Sequence, residues 1–164
     1  MDLLDRLIAR DLWATPQLLG LGIGLGDSRL DQEFDPGHRT LRETFHHMIY
    51  TIGFWTATMS GRPAPRELRD LSIPSLLNSY RQEQEAFSVF AQRVWDEARF
   101  DDVFIDHYEV KKSMGGTLLA ILLHNEEHRT EALHVLNRLD VPEIPEIDLG
   151  AWDCFQQNPE EQIQ

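Results

Sequence analysis

Cysteine is almost missing from this chain: Cys154 stands alone among 164 residues. One thiol excludes an internal disulfide and a thiolate-rich metal cage, so any bound metal must use other donors. Basic residues are scarce too, with Lys+Arg 15 against Asp+Glu 28 and a formal net charge of −13. Duplex binding draws its affinity from clustered Lys and Arg, so no nucleic-acid partner is expected. No apolar run reaches the roughly 18–20 residues that span a bilayer, so no membrane partner is expected either. The opening Met1-Asp2-Leu3-Leu4-Asp5-Arg6 lacks the basic and apolar regions of a secretory leader, which points to a cytoplasmic location. What is present fits one globular domain over residues 1–164, with 41% hydrophobic and 26% charged residues. At this length folding hides roughly two-thirds of the surface, enough for a core without covalent staples.

Four stretches carry helical rhythm. The first covers roughly residues 3–25, with Leu4, Leu7, Ile8, Leu12, Leu18 and Leu19 at three- and four-residue steps. Pro16 predicts a kink or broken turn, because proline removes a donor and crowds the preceding turn. The tract Gly20-Leu21-Gly22-Ile23-Gly24-Leu25-Gly26 predicts a fraying end; it lacks the Gly-Lys-Ser/Thr of a phosphate loop. Asp35-Pro36-Gly37 is a turn signature. Thr40-Leu41-Arg42-Glu43 fits a capping box, with Glu43 reaching back to the Thr40 amide. The second helix then runs to about Met59 and stops at Gly61, and its face is Leu41, Phe45, Met48, Ile49, Ile52 and Trp55. The third starts near Pro74 and carries Leu76, Leu77, Tyr80, Phe87, Phe90, Val94 and Trp95. Val103-Phe104-Ile105 and Tyr108-Glu109-Val110 are expected to pair as a short hairpin. The fourth spans about Gly116 to Leu139, and one short helical turn around residues 151–155 follows. Four amphipathic helices with little strand predict an all-α four-helix bundle.

Among seven histidines, His124 and His128 form the informative pair. A spacing of four puts their imidazoles about 40° apart and one turn along a helix, so both can bind one metal ion. Thr117, Ala120, Ile121 and Val135 fall on the same side, which turns that face inward. The same spacing also suits two partly exposed histidines with no shared role. A third ligand must come from another segment, and His46-His47 on the second helix is the candidate. His47 lies near the inward stripe, while His46 is rotated by about 100° toward the outside or a boundary. Cys154 is either a soft ligand or, more simply, a buried small residue. Asp2, Asp5 and Asp11 are expected as solvated charges, and His38, His107 and His134 as surface residues.

Several segments, taken in order, resemble the DinB-like superfamily of small helical-bundle metalloproteins, also described as DinB/YfiT-like. Asp11-Leu12-Trp13-Ala14-Thr15 with Leu18-Leu19 looks like its first-helix pattern. Leu41-Arg42-Glu43-Thr44-Phe45-His46-His47-Met48-Ile49, with Trp55 and Gly61, is similar to its L-R-x-T-x-x-H-I segment. His124-Asn125-Glu126-Glu127-His128-Arg129 matches its H-x-x-x-H-R, and Pro142 with Trp152 fits its closing segment. The resemblance implies His47, His124 and His128 as metal ligands. Where the family often has Gly-Gln after H-R, this chain has Thr130-Glu131. Glu131 lies about 20° from His124 on the helical wheel, in place to orient a ligand.

Three neutral nitrogen ligands leave a divalent ion at least one open position, as in catalytic rather than structural sites. Imidazole donors suit zinc or nickel. The resemblance implies a small-molecule thiol, such as bacillithiol or mycothiol, that attacks an electrophile in detoxification or a stress response. A metal-dependent thiol S-transferase is therefore the leading expectation. Hydrolysis with Glu127 or Glu131 as base is the alternative, and a non-catalytic metal-binding protein is a third reading. Apolar residues on outward faces, including those around Trp95 and Phe100, permit a homodimer.

Overall fold

The computed structural model describes residues 1–34 and 40–158. Asp35-Pro36-Gly37 and His38 lie outside the described residues. The chain forms α1 (Leu3–Gly22), α2 (Asp27–Leu30), α3 (Leu41–Met59), α4 (Ile73–Asp96), β1 (Val103–Ile105), β2 (Lys111–Ser113), α5 (Met114–Arg138) and α6 (Leu149–Gln157). Four long helices make the bundle, and the fold is all-α apart from the two short strands. α1 and α3 each pack against both α4 and α5, so α1 faces α3 across one diagonal and α4 faces α5 across the other. The connections after α1 and after α4 must therefore cross the bundle, and these are the segments that carry α2 and the hairpin.

Side-chain caps set the helix starts. Asp2 and Asp5 form a reciprocal capping box at α1, rather than lying as free solvated charges. Thr40 caps α3 by accepting from the Glu43 amide at 3.1 Å. The reciprocal half differs from expectation, because the Glu43 carboxylate accepts from the Thr40 hydroxyl instead of its amide. Ser72 caps α4 with Pro74 in the first turn, where a missing amide hydrogen costs nothing. Gly61 closes α3 with φ +64, a conformation glycine adopts without a Cβ clash.

α1 continues through Pro16 without a break, and it ends inside the glycine tract where fraying is expected, at Gly22 with Ile23 as its cap, short of Leu25. Packing outweighs the lost donor: Ala14, Leu18 and Leu19 on either side of Pro16 are fully buried, and a large aliphatic side chain so placed contributes about 1.5–3 kcal/mol. Gly22 packs closely on α4: a Cβ there would lie 2.8 Å from Ile73 Cδ1, the tip of that side chain.

The hairpin register also differs. β1 pairs antiparallel with Lys111–Ser113, so that Ile105 faces Lys111. Tyr108, Glu109 and Val110 belong to the turn because Asp106 gathers them: its Oδ1 accepts from the amides of Tyr108 and Val110, both at 2.9 Å. Glu109 has φ +60, which a strand does not accommodate.

The core is continuous through all four long helices, with Leu18, Phe45, Leu76, Phe87 and Leu118 among its buried residues. α6 lies against α1 and buries Trp152. Cys154, on the same helix, is exposed rather than buried. No described helix is long and apolar enough to cross a membrane.

Candidate metal centre

α5 carries two pairs of residues at spacing four, offset by one position: His124 with His128, and Asn125 with Arg129. One position turns about 100° around the axis, so the pairs face different neighbours. His124 and His128 turn to α3 and meet His47. Asn125 and Arg129 turn to α1.

The three imidazoles converge. His124 Nε2 lies 3.0 Å from His47 Nε2 and 3.0 Å from His128 Nε2. One ligand atom from each residue falls within 4.8 Å of the others. An imidazole Nε2 offers a single in-plane direction, either a hydrogen or a lone pair. That one direction at His124 Nε2 faces two ring nitrogens. Three lone pairs turned on one cation resolve the crowding, and nitrogens at about 2.0–2.1 Å from an ion sit about 3.3 Å apart. The donor set fits a divalent metal of borderline softness. His128 is buried, while His47 and His124 are half-buried.

Glu131 completes the group. Its Oε2 lies 2.6 Å from His128 Nδ1, the carboxylate–histidine arrangement that fixes a ring's tautomer and direction. Glu127, the other acidic residue singled out, is exposed. His46 is half-buried beside Tyr50, with ring centroids 6.4 Å apart. His107 is exposed and packs edge-on to Phe54 at 4.9 Å, and His134 is exposed. Of the histidines described, the triad is the group that the fold assembles.

A pocket of about 320 Å³ opens beside the triad, between α3, α5 and β2. Thr51 and Trp55, one and two turns beyond His47, form its α3 wall, while Gly116, Ala120 and His124 form a ladder on α5. Thr117 and Ile121 are buried beneath it. Lys112 on β2 stands at the end remote from the triad, its Nζ 5.6 Å from the Trp55 ring centroid. Sequence reasoning missed Lys112, although the signal was there: the chain has two lysines, both in the hairpin.

The other face of α5 builds a closed ionic cluster. Arg129 Nη1 lies 2.6 Å from Asp11 Oδ1 and donates to Thr15 Oγ1 at 3.1 Å, while Nη2 donates to Glu126 Oε2 at 2.7 Å. Asn125 donates to Asp11 Oδ2 at 2.7 Å, and Tyr80 donates to the Asp11 carbonyl at 2.7 Å. Arg10 binds Glu126 with both terminal nitrogens and reaches the Ile147 carbonyl through Nε at 2.9 Å. Asp11 is therefore buried, not solvated; the available signal was its place on the inward rhythm of Leu4, Ile8, Ala14 and Leu18. Burial pushes the Asp11 carboxyl above the usual range, against the pull of Arg129 and Asn125. At Glu126 burial acts the same way, but hydrogen bonds from Arg10 and Arg129 outweigh it and hold the carboxyl below the usual range. Burial and then the Asp11 charge push the Tyr80 hydroxyl up.

A comparison with curated proteins found no match. The family model for the DinB superfamily matches residues 13–132, a span that begins inside α1 and includes all three histidines and Glu131. The chain belongs to the DinB superfamily.

Proposed function

We propose that His47, His124 and His128 hold a divalent metal, zinc or nickel, and that the protein is a metal-dependent thiol S-transferase. The observation that carries this reading is the convergence of three imidazoles beside a pocket whose wall includes His124. Bound there, the ion supplies Lewis acidity that lowers a thiol's pKa and leaves a position open to a small molecule. The chain's own residues do the rest. Glu131 holds the His128 ring in place, and Thr51, Trp55, Ala120 and Ile121 shape space for the reactants. In the transfer the thiol proton passes to solvent water, the sulfur bonds to an electrophilic carbon, and the leaving group departs with the bonding pair and is protonated by solvent. Transfer is favoured over hydrolysis because Glu131 is engaged with His128, which makes it a poor free base. A homodimer near Trp95 and Phe100 and a cytoplasmic location belong to the same proposal.

Elemental analysis of protein purified without added metal or an affinity tag tests the site. About one zinc or nickel per chain is expected, lost in His124→Ala or His128→Ala and kept in His38→Ala. Full occupancy in the His124→Ala protein overturns the ligand set. Electrophile consumption with a panel of low-molecular-weight thiols tests the reaction. Turnover without thiol points to a hydrolase instead, and metal without turnover points to a binding protein.

A further inference from the structure

The pocket beside the triad has a direction. Trp55 lies eight residues beyond His47 on α3, and Gly116 eight residues before His124 on α5, about 12 Å of rise in each helix. The trough therefore runs from the histidines to Lys112, with small Gly116 and Ala120 along its open side. Lys112 is the cationic side chain among its described lining residues, in a chain whose net charge is −13. Lys111, one step along the strand, is exposed and points to the opposite face.

Holding the hairpin together does not account for Lys112. Its Nζ lies 3.7 Å from Asp106 Oδ2, the outer limit of an ion pair, and its side chain remains 40% exposed. The turn is fastened without it, through the Asp106 Oδ1 bonds to the Tyr108 and Val110 amides. The Trp55 ring steadies the ammonium, as aromatic faces attract cations. An ammonium has three donors, more than these contacts consume.

We propose that Lys112 binds the anionic end of an elongated small molecule whose reacting group lies at the His47–His124–His128 site. The ligand class is a chain of about six carbons or longer ending in a carboxylate or similar anion. The inference rests on the thiol reading above for the chemistry at the triad, but not for the anchor itself.

Cobalt-loaded protein tests it, because sulfur-to-cobalt charge-transfer absorption reports a thiol reaching the metal. 6-Mercaptohexanoate should bind about fivefold more tightly than 6-mercaptohexanol, the gain of one partly exposed ion pair. Lys112→Ala should lower the carboxylate's affinity to that of the alcohol without changing cobalt content or the alcohol's affinity, and Lys112→Arg should preserve the preference. 3-Mercaptopropionate, too short to span the trough, should gain nothing over 3-mercaptopropanol. Equal binding of the two six-carbon thiols, or a preference that survives Lys112→Ala, overturns the proposal. A second readout separates the anchor from the thiol reading. Protein labelled with ¹³C at lysine Cε gives two signals, and the one absent from Lys112→Arg belongs to Lys112. If no thiol produces a charge-transfer band, the thiol reading fails, and hexanoate titration decides the anchor. A saturable shift of the Lys112 signal alone upholds it; no shift, or equal shifts of both lysines, overturns it.

Discussion

Within residues 124–129, α5 builds two polar clusters of opposite character. Toward α1, Arg129 meets Asp11, Glu126 and Thr15, so a buried cation is answered by carboxylates and a hydroxyl. Toward α3, three imidazole nitrogens meet one another beside a pocket. The first cluster supplies its own countercharge from within the protein. The second places like donors together, an arrangement that offers three ring nitrogens to a cation from outside. Burial alone does not separate the two, since Arg129 and His128 are both buried. What separates them is whether the partners carry opposite charge.

The largest effect on this contrast comes from breaking the closed side. Arg129→Met leaves Asp11 buried without its cation, which costs about 3–5 kcal/mol, visible as a lower urea midpoint. Metal content per folded chain should be unchanged. A cost under about 1 kcal/mol would show that the cluster is not what ties α1 to α5. On the open side, Glu131→Ala keeps all three imidazoles but removes the partner of His128 Nδ1. Metal affinity should fall about 10–100-fold, measured by competition with a chromophoric chelator, while the urea midpoint of metal-free protein moves little. Equal damage to both quantities would make Glu131 part of the scaffold. The smallest effect is a pH dependence at Glu126. Its carboxyl is held below the ordinary value of 4.5, so the folded state binds that proton less tightly than the unfolded chain. The resulting stability is present above the unfolded value and is lost as pH falls through the folded one. The stability gap between wild type and Glu126→Gln should thus be widest near neutrality and shrink as pH falls below 4.5 and through the lower folded value; a gap that widens in acid would reverse the assigned sign.

Much of the fold was legible because periodicity reports burial on a helix. The face Leu41, Phe45, Met48, Ile49 and Ile52 is buried, and Thr40, Pro74 and Gly61 punctuate the chain where expected. The rhythm failed where polarity and burial parted. Leu7 and Leu12 are 36% and 40% exposed, whereas Asp11 and Thr15 on the same helix are buried. Gln84 likewise sits in the core stripe of α4 beside Tyr80 and Phe87, a position hydrophobicity cannot reveal. The hairpin slipped for a local reason, since the Asp106 side chain draws residues 108–110 into a turn.

The candidate site divides in the same way. His124 and His128 were legible as a pair because four residues make nearly one turn, a relation internal to one helix. The inward stripe of the second helix pointed to His47 and the resemblance agreed, but its approach to His124 spans 77 residues of chain and depends on how α3 packs against α5. The hydrogen bond from His128 Nδ1 to Glu131 is again internal to α5, three residues apart, whereas the burial of Asp11 and the position of Lys112 depend on packing. The order of amino acids determined the helices, their caps, the all-α bundle and the paired imidazoles, because each follows from interactions a few residues apart. Only the tertiary structure decided which polar groups meet, because charges and donors distant in sequence find each other through the packing of helices and not through spacing along any one of them.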